Sequence, residues 1–317
     1  MRYQAVIGFA VAASLLVGCG DTIASPPMRK AKAAAKALTE AQARAILGRY
    51  ELLNNEANAK VSDTLLRSIE TGPFLEADLA ANKRIRAKAE KKYSAFTYRD
   101  PQFFLPHGVD PAWFGVFAQS SDPDDGSEFL VFADVGGGTY KAAAAVWTVK
   151  GRKLPAIARS ADGSATAVTT GPALTVGTRI AAYLTAVASG ENAPGGINSK
   201  PVIASDGRYW AKMIKRGNRP GGHDSVSWRA RAEPVYALRT ADGGALVLNT
   251  GTSTEDYRLT RSDIELEAAP QYRGLGPKRY RHEFTGTMLW QFLTSVPPQG
   301  NASVLAEEAH TIAATGS

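Results

Sequence analysis

The chain changes character at residues 96–149, FTYRDPQFFLPHGVDPAWFGVFAQSSDPDDGSEFLVFADVGGGTYKAAAAVWTV. The runs FTYRDPQFFLP, AWFGVFAQS, EFLVFADV and AAAAVWTV are short and rich in aromatic or β-branched residues. They predict strands. Between them, HGVDP, SDPDDGS and GGGTYK have the composition of turns, so the stretch reads as an antiparallel sheet. Before it the apolar period is helical. Thr39 and Gln42 form a T-x-x-Q capping box. From there Ile46, Tyr50, Leu53, Ala57, Val61, Leu65 and Ile69 recur at steps of three or four, predicting one long helix that stops at Gly72-Pro73. PFLEADLAANKRIRAKAEKKY predicts a second helix, with Glu76 and Asp78 early and Lys88, Lys91 and Lys92 late, as the helix dipole favours.

After the sheet the order repeats. Leu154 to Pro172 reads as a linker with a little strand, ATAV, and Ala173 to Gly190 as a helix with Ile180, Ala181, Leu184 and Val187 on one face. DGRYWAKMIKRGN predicts a short helix. VSWRARAE, VYALRTA, GALVLNTGT and YRLTR predict strands, with Ala241-Asp242-Gly243-Gly244 as a hairpin turn. Helix then sheet, twice, predicts an α+β protein of two domains, residues 39–153 and 173–317, joined by a linker at 154–172.

The start of the chain bears on location. Arg2 precedes AVIGFAVAASLLVG, an apolar run of about 14 residues. A membrane-spanning helix needs roughly 20, so the run fits the apolar region of an export signal. Leu16-Val17-Gly18-Cys19 resembles the lipobox of bacterial lipoproteins. That resemblance implies a signal peptide over residues 1–18 and a diacylglyceryl group on the Cys19 thiol. Residues 19–38 would then be lipid anchor and tether, holding the protein to the outer face of the cell membrane. Two acyl chains make a stable anchor where one is marginal. Cys19 is the chain's single cysteine, so its use leaves no thiol for a disulfide or a metal.

A hydrophobic share of 44% with 21% charged residues places the chain among globular proteins. The formal charge is +7, and +6 once Arg2 leaves with the signal. Such a surface favours anionic partners: lipid headgroups, an acidic envelope polymer, or an acidic membrane protein. No zinc-finger spacing or basic run with interleaved aromatics points to nucleic acid.

Helices followed by a bent antiparallel sheet resemble the cone-shaped α+β fold of ketosteroid isomerase-like and SnoaL-like proteins. The stretches RYELLNNEAN, IETGPFLEAD, FTYRDPQFFLPHG, SADGSATAV and SVPPQG resemble an uncharacterised family of actinobacterial exported lipoproteins. That resemblance covers nearly all of the mature chain and brings no functional residues with it.

Signatures of known chemistry are missing. His107, His223, His282 and His310 show no H-x-x-x-H spacing, which argues against zinc. There is no G-x-S-x-G elbow and no S-x-x-K with its partner motifs. Val135 to Lys141 lacks the spacing and following helix of a phosphate loop and reads as a hairpin turn. Asp122 to Glu128 is acidic but lacks the ligand pattern of a calcium loop. No cofactor is implied, and no catalytic residue is assigned.

A cone fold places a pocket between its first helix and the concave sheet. Glu51, Asn55, Asn58 and Ser62 form a polar stripe beside the apolar one, and Tyr50, Asn54, Asn58, Tyr98 and His107 have the chemistry to line that pocket. The carboxylates Asp78, Asp100, Asp134, Asp224 and Asp256 are scattered, with no pair marked by spacing. The reading is a binding module for a surface partner or a hydrophobic small ligand. Its alternative is a SnoaL-like isomerase or hydrolase that uses a pocket carboxylate or histidine. A strongly shifted ionisable group facing an open cone would favour the enzyme. A cone plugged by aromatics beside an exposed apolar patch would favour the binding module.

Overall fold

Thr39 caps the helical layer as the sequence predicts: its hydroxyl accepts from the Gln42 N–H, and the Gln42 side chain accepts from the Thr39 N–H. In the computed structural model, which describes residues 38–121, 126–198, 209–215, 221–231, 235–261 and 263–317, the expected long helix is two. α1 (Glu40–Lys60) ends at Val61, whose φ of 52° is left-handed, and α2 (Asp63–Ile69) restarts with the Ser62 hydroxyl capping the Leu65 N–H. The Ser62 N–H returns to the Ala57 carbonyl at 2.9 Å, the hydrogen bond of a helix C-cap. A serine able to cap both overrides the apolar period running through it. α3 (Gly72–Arg86) begins with Pro73 in its first turn and stops short of the expected end at Tyr93.

β1 (Tyr98–Phe104), β2 (Trp113–Ser120), β3 (Ser127–Asp134) and β4 (Tyr140–Trp147) form an antiparallel meander in chain order. The Val135–Thr139 segment is its hairpin turn, with the Val135 N–H on the Thr139 carbonyl at 2.8 Å. A 3-10 turn, Pro172–Thr175, leads into α4 (Val176–Ser189). The second half continues with β5 (Ile197–Asn198), a helical stretch at 209–215, β6 (Gly222–Ala230), β7 (Tyr236–Arg239) and β8 (Ala245–Leu259). β9 (Leu266–Glu267) and β10 (Arg279–Tyr280) pair with each other, and β11 (Glu283–Val296) and β12 (Ala302–Gly316) close the chain. The second sheet runs β5-β12-β11-β8-β6, with β7 also on β8.

Alternation along the strands sorts the core into layers. Phe103, Phe114, Val116, Leu130 and Phe132 meet Leu47, Tyr50, Ile69 and Phe74 of the helices. The opposite face, with Phe104, Trp113, Phe129 and Val131, packs on Tyr236, Leu238, Leu246, Leu248 and Leu293 of the second sheet. That sheet's other face, with Trp228, Val247, Trp290 and Phe292, takes Val176, Ile180 and Leu184 of α4. Helices, sheet, sheet and helix are therefore stacked within the unit that begins at Lys36. At the far ends of β8, β11 and β12 a smaller cluster closes over Tyr272, whose ring lies where a Cβ on Gly286 would stand 2.2 Å from it. Only glycine permits that approach.

The segment read as a linker is knitted to both halves. The Ala158 N–H reaches the Arg239 carbonyl at 2.8 Å, Val168 reaches Ala237 at 2.8 Å, and Ala165 reaches Leu105 at 3.1 Å. Its ATAV piece supplies the strand-like pairing. Backbone groups passing over a sheet edge need partners, and here the neighbouring strands provide them.

The outer edge of β4 is closed by side chains. Gln291, fully buried on β11, accepts the Ala145 N–H at 3.0 Å, and the Glu308 carboxylate on β12 accepts from the Trp147 backbone. The Thr71 N–H meets the Ala142 carbonyl at 2.8 Å. An otherwise exposed edge thereby becomes a joint between the halves. Gln291→Leu leaves the Ala145 N–H unpaired, with an expected loss of about 1–2 kcal/mol. Hydrogen exchange should show faster exchange at Ala145 than at amides inside the β2–β3 ladder.

Candidate functional site

The buried face of α1 is partly polar, and this sets the site. Asn54 and Asn58 point inward with Ala43, Leu47 and Tyr50. Their i, i+4 spacing chains them together: Asn58 Nδ2 donates to Asn54 Oδ1 at 2.7 Å, and Asn54 Nδ2 donates to the Tyr50 hydroxyl at 3.0 Å and to Glu70 Oε1 at 3.0 Å. Glu70 sits between α2 and α3, 1% exposed and bridged to Ala142. Its other oxygen, Oε2, has no donor among the described residues. Its carboxyl instead faces that of Asp78 on α3 at hydrogen-bonding range. Two carboxyls can hydrogen-bond only by sharing a proton.

Burial is the main influence on how these groups ionise. It pushes Glu70 well above the usual carboxylate range, with the Asp78 charge adding to it. Asp78 rises to about 6 by burial, opposed by its hydrogen bond to Glu70. Glu308, half-buried, is pushed up to about 7 by burial, opposed by its bond to the Trp147 backbone. His310, two residues on, is depressed to about 4 by burial and then by Arg84. On the other side, the Tyr98 hydroxyl donates to buried Glu128. The outer part of the predicted stripe has a different task. Asn55 and Glu51 clamp the approach to β1: Asn55 Nδ2 donates to the Phe96 carbonyl at 2.7 Å, the Phe96 N–H returns to Asn55 Oδ1 at 3.0 Å, and the Tyr98 N–H donates to Glu51 Oε1 at 2.6 Å.

Of the five residues expected to line a pocket, Tyr50, Asn54, Asn58 and Tyr98 converge on this network. His107 does not. It lies beyond β1, with Nδ1 3.3 Å from the Asp162 carboxylate. The space between α1 and the first sheet is filled by rings: Tyr50 is edge-on to Phe132 at 5.5 Å, and Phe132 stacks on Phe114 at 4.9 Å. Among the large apolar side chains exposed in the described residues, Leu52 stands on α1, Val135 in the β3–β4 turn and Val149 in the segment after β4.

Sequence spacing could not pair the carboxylates. Glu70, Glu128 and Glu308 come from three different parts of the chain, and Glu70 reads locally as a helix residue. Asp224 on β6 is likewise joined by Glu255 of β8, whose Oε2 accepts from the Tyr272 hydroxyl at 2.6 Å. Burial, then the Glu255 charge, raises Asp224 to about 7. Asp134 accepts from the N–H groups of Gly136 at 2.8 Å and Gly138 at 3.3 Å within its hairpin, and Asp256 accepts from Thr285 at 2.7 Å. Among the described residues no group of three or more histidine, cysteine or acidic side chains is placed to hold a metal ion. Residues 122–125 of the acidic turn lie outside the described residues, as do Cys19 and the expected signal and anchor up to residue 37.

A groove of about 540 Å³ lies elsewhere, on the face of the first sheet that looks away from α1. Its floor is Phe104 and Phe117, with Gln102 and Gln119 beside them. The chain leaving β4 forms its wall with Leu154 and Ile157, and its rim carries Arg152, Lys153 and Arg159. Arg159 is fixed by the Gly163 carbonyl at 2.8 Å. Arg152 and Lys153 have no carboxylate partner among the described residues, and the buried Nε of Arg152 has no acceptor.

This is an α+β protein with two large antiparallel-based sheets, a small β9–β10 pair, a carboxyl network beneath α1 and a separate basic groove. Residues 34–316 match the family described as a domain of unknown function (DUF8094), and the chain belongs to that family. It is also similar to an uncharacterised lipoprotein of Streptomyces coelicolor, 27% identical over 285 residues, covering 86% of this chain and 80% of that protein. No solved structure matches it. Among the described residues no helix is long and apolar enough to cross a membrane.

Proposed function

We propose that the protein is a lipoprotein anchored through Cys19 on the extracytoplasmic face of the cell membrane, where it serves as a ligand-binding module. The observation that carries this reading is the groove over Phe104 and Phe117, a concave surface that brings apolar side chains together with Arg152, Lys153 and Arg159, as ligand sites combine apolar lining with a few polar groups. Similarity to a lipoprotein and the lipobox-like tetrad support the anchor.

The enzymatic alternative draws on one observation, carboxyls raised to about 6 at Asp78 and about 7 at Glu308, values suited to a general acid near neutral pH. Against it, Tyr50 and Phe132 fill the space beside those carboxyls, and none of them lines the groove. The binding reading is the stronger.

Cys19→Ser is expected to move the protein from the membrane to the soluble or uncleaved precursor fraction and to abolish labelling with radioactive palmitate. Retention of label would overturn the anchor. Native mass spectrometry of the wild-type protein, extracted gently from its host, should show a reproducible added mass. A bare chain under every extraction condition would overturn the binding role.

A further inference from the structure

We propose that the groove holds an anionic phospholipid, with its phosphodiester at Arg152 and Lys153 and an acyl chain along Phe104, Phe117, Leu154 and Ile157. This deepens the reading above and rests on the groove being the ligand site. A volume of about 540 Å³ is within the ordinary range for small ligands, roughly 300–1,000 Å³. Phe104, Phe117, Leu154 and Ile157 line the groove beside the polar Gln102, Gln119 and Ser127, so a ligand lying along the apolar side chains buries an apolar segment there.

The rim requires the opposite property. Arg152 and Lys153 are adjacent, without carboxylate partners among the described residues, and Arg152 has a guanidinium nitrogen enclosed without an acceptor. A guanidinium presents a planar fork that matches a phosphate's oxygens, and a neighbouring ammonium adds charge without demanding geometry. Arg159, whose partners are the Gly163 and Phe103 carbonyls, has no carboxylate partner among the described residues and adds its positive charge at the same rim. Cations and apolar side chains lining one groove describe an amphiphile with a charged head. A phosphate polymer would use the rim and leave the phenylalanines wet. A neutral lipid would fill the floor and leave three cations without an anion among the described residues. For a protein anchored on a leaflet, the lipids of that leaflet are the amphiphiles at highest local concentration.

The test uses full-length protein extracted from its host membrane in a mild nonionic detergent. It is titrated with dihexanoyl phosphatidylglycerol, dihexanoyl phosphatidylcholine and glycerol phosphate, and bound mass is read by native mass spectrometry. Phosphatidylglycerol should bind, with the choline lipid and the chainless phosphate each weaker by about tenfold or more. The double variant Arg152→Glu/Lys153→Glu, on exposed or half-exposed positions, should lose about tenfold or more with its melting temperature unchanged. Equal binding of the choline lipid overturns the headgroup assignment, and equal binding of glycerol phosphate reduces the site to an anion site. Either result leaves the groove a ligand site. A different co-purifying mass, displaced by neither lipid, also overturns the inference alone. If no added mass is seen with any probe or from the host, this inference and the binding function both fall.

Discussion

Phe132→Ala should be the most damaging single truncation in the first half of the molecule, with an expected loss of about 3–5 kcal/mol. Phe132 is 1% exposed on β3. It stacks on Phe114 at 4.9 Å and receives the edge of Tyr50 at 5.5 Å, so its removal empties the centre of the layer between α1 and the sheet. Collapse into the space is resisted from both sides. Tyr50 is tied through Asn54 to Glu70, and Phe114 is held in the β2–β3 ladder directly opposite Phe132. The cost should therefore include most of the cavity contribution as well as the lost transfer energy. A drop in Tm on the order of 6–15 °C is expected. The measurement is thermal or urea unfolding, with the slope of the urea transition unchanged if the folded state keeps its compactness. The same variant separates two views of the cone. If the space beside Tyr50 is core, Phe132→Ala loses stability and leaves any ligand bound at the groove in place. Loss of a co-purifying ligand with little loss of stability would make Phe132 the wall of a binding site instead.

The helix-to-strand transition at residues 96–149 was legible because aromatic and β-branched side chains cluster there between turn residues. The capping box at Thr39 was legible for the same reason, since both signals are local. The alanine run Ala142–Ala145 is a different case. Alanine is a poor strand former, and it occupies β4 because that strand is buried on both faces, where small side chains let α3 and β12 approach. The break at Val61 was hidden because a period of apolar residues continues through it, while Ser62 decides the backbone. Inward-facing Asn54 and Asn58 were recognised as candidates by chemistry, but their partner was not. Glu70 becomes a site residue only when α2 and α3 fold back, and its apposition to Asp78 has no signature in spacing. The groove was illegible for a similar reason. Its floor is from β1 and β2, while its wall is from a segment that reads as a linker.

The buried and half-buried carboxyls make the protein's stability fall as pH rises from about 5 to about 7, opposite to the usual effect of salt-bridged acids. Glu70, Asp78, Glu308, Asp224 and Glu255 all have folded values above their ordinary ones, burial being the first cause each time. In the unfolded chain such groups lose their protons near pH 4. Between that value and the folded ones, at about 6 for Asp78 and about 7 for Glu308 and Asp224, the native state binds more protons than the unfolded state. Its advantage is complete below the unfolded values and is lost as pH rises through the folded ones. His310 works against this. Its folded value of about 4 removes stability as pH falls from about 6.5, but it is one group against five. Exposed carboxyls held low by partners, among them Asp162 and Glu265, remove stability only in the more acid range. The maximum should therefore lie near pH 5, with a loss on the order of 2–4 kcal/mol by pH 7.5. Glu70→Gln isolates the cause. The amide keeps an oxygen for Asn54 and offers Asp78 an N–H, so Asp78 can ionise against a donor without a shared proton. At pH 7.5 the variant should be more stable than the wild type by about 1–2 kcal/mol, and near pH 5 the difference should close. Urea unfolding across that range reads both. A variant destabilised equally at every pH would show that Glu70 acts as a fixed acceptor, with no proton held between it and Asp78.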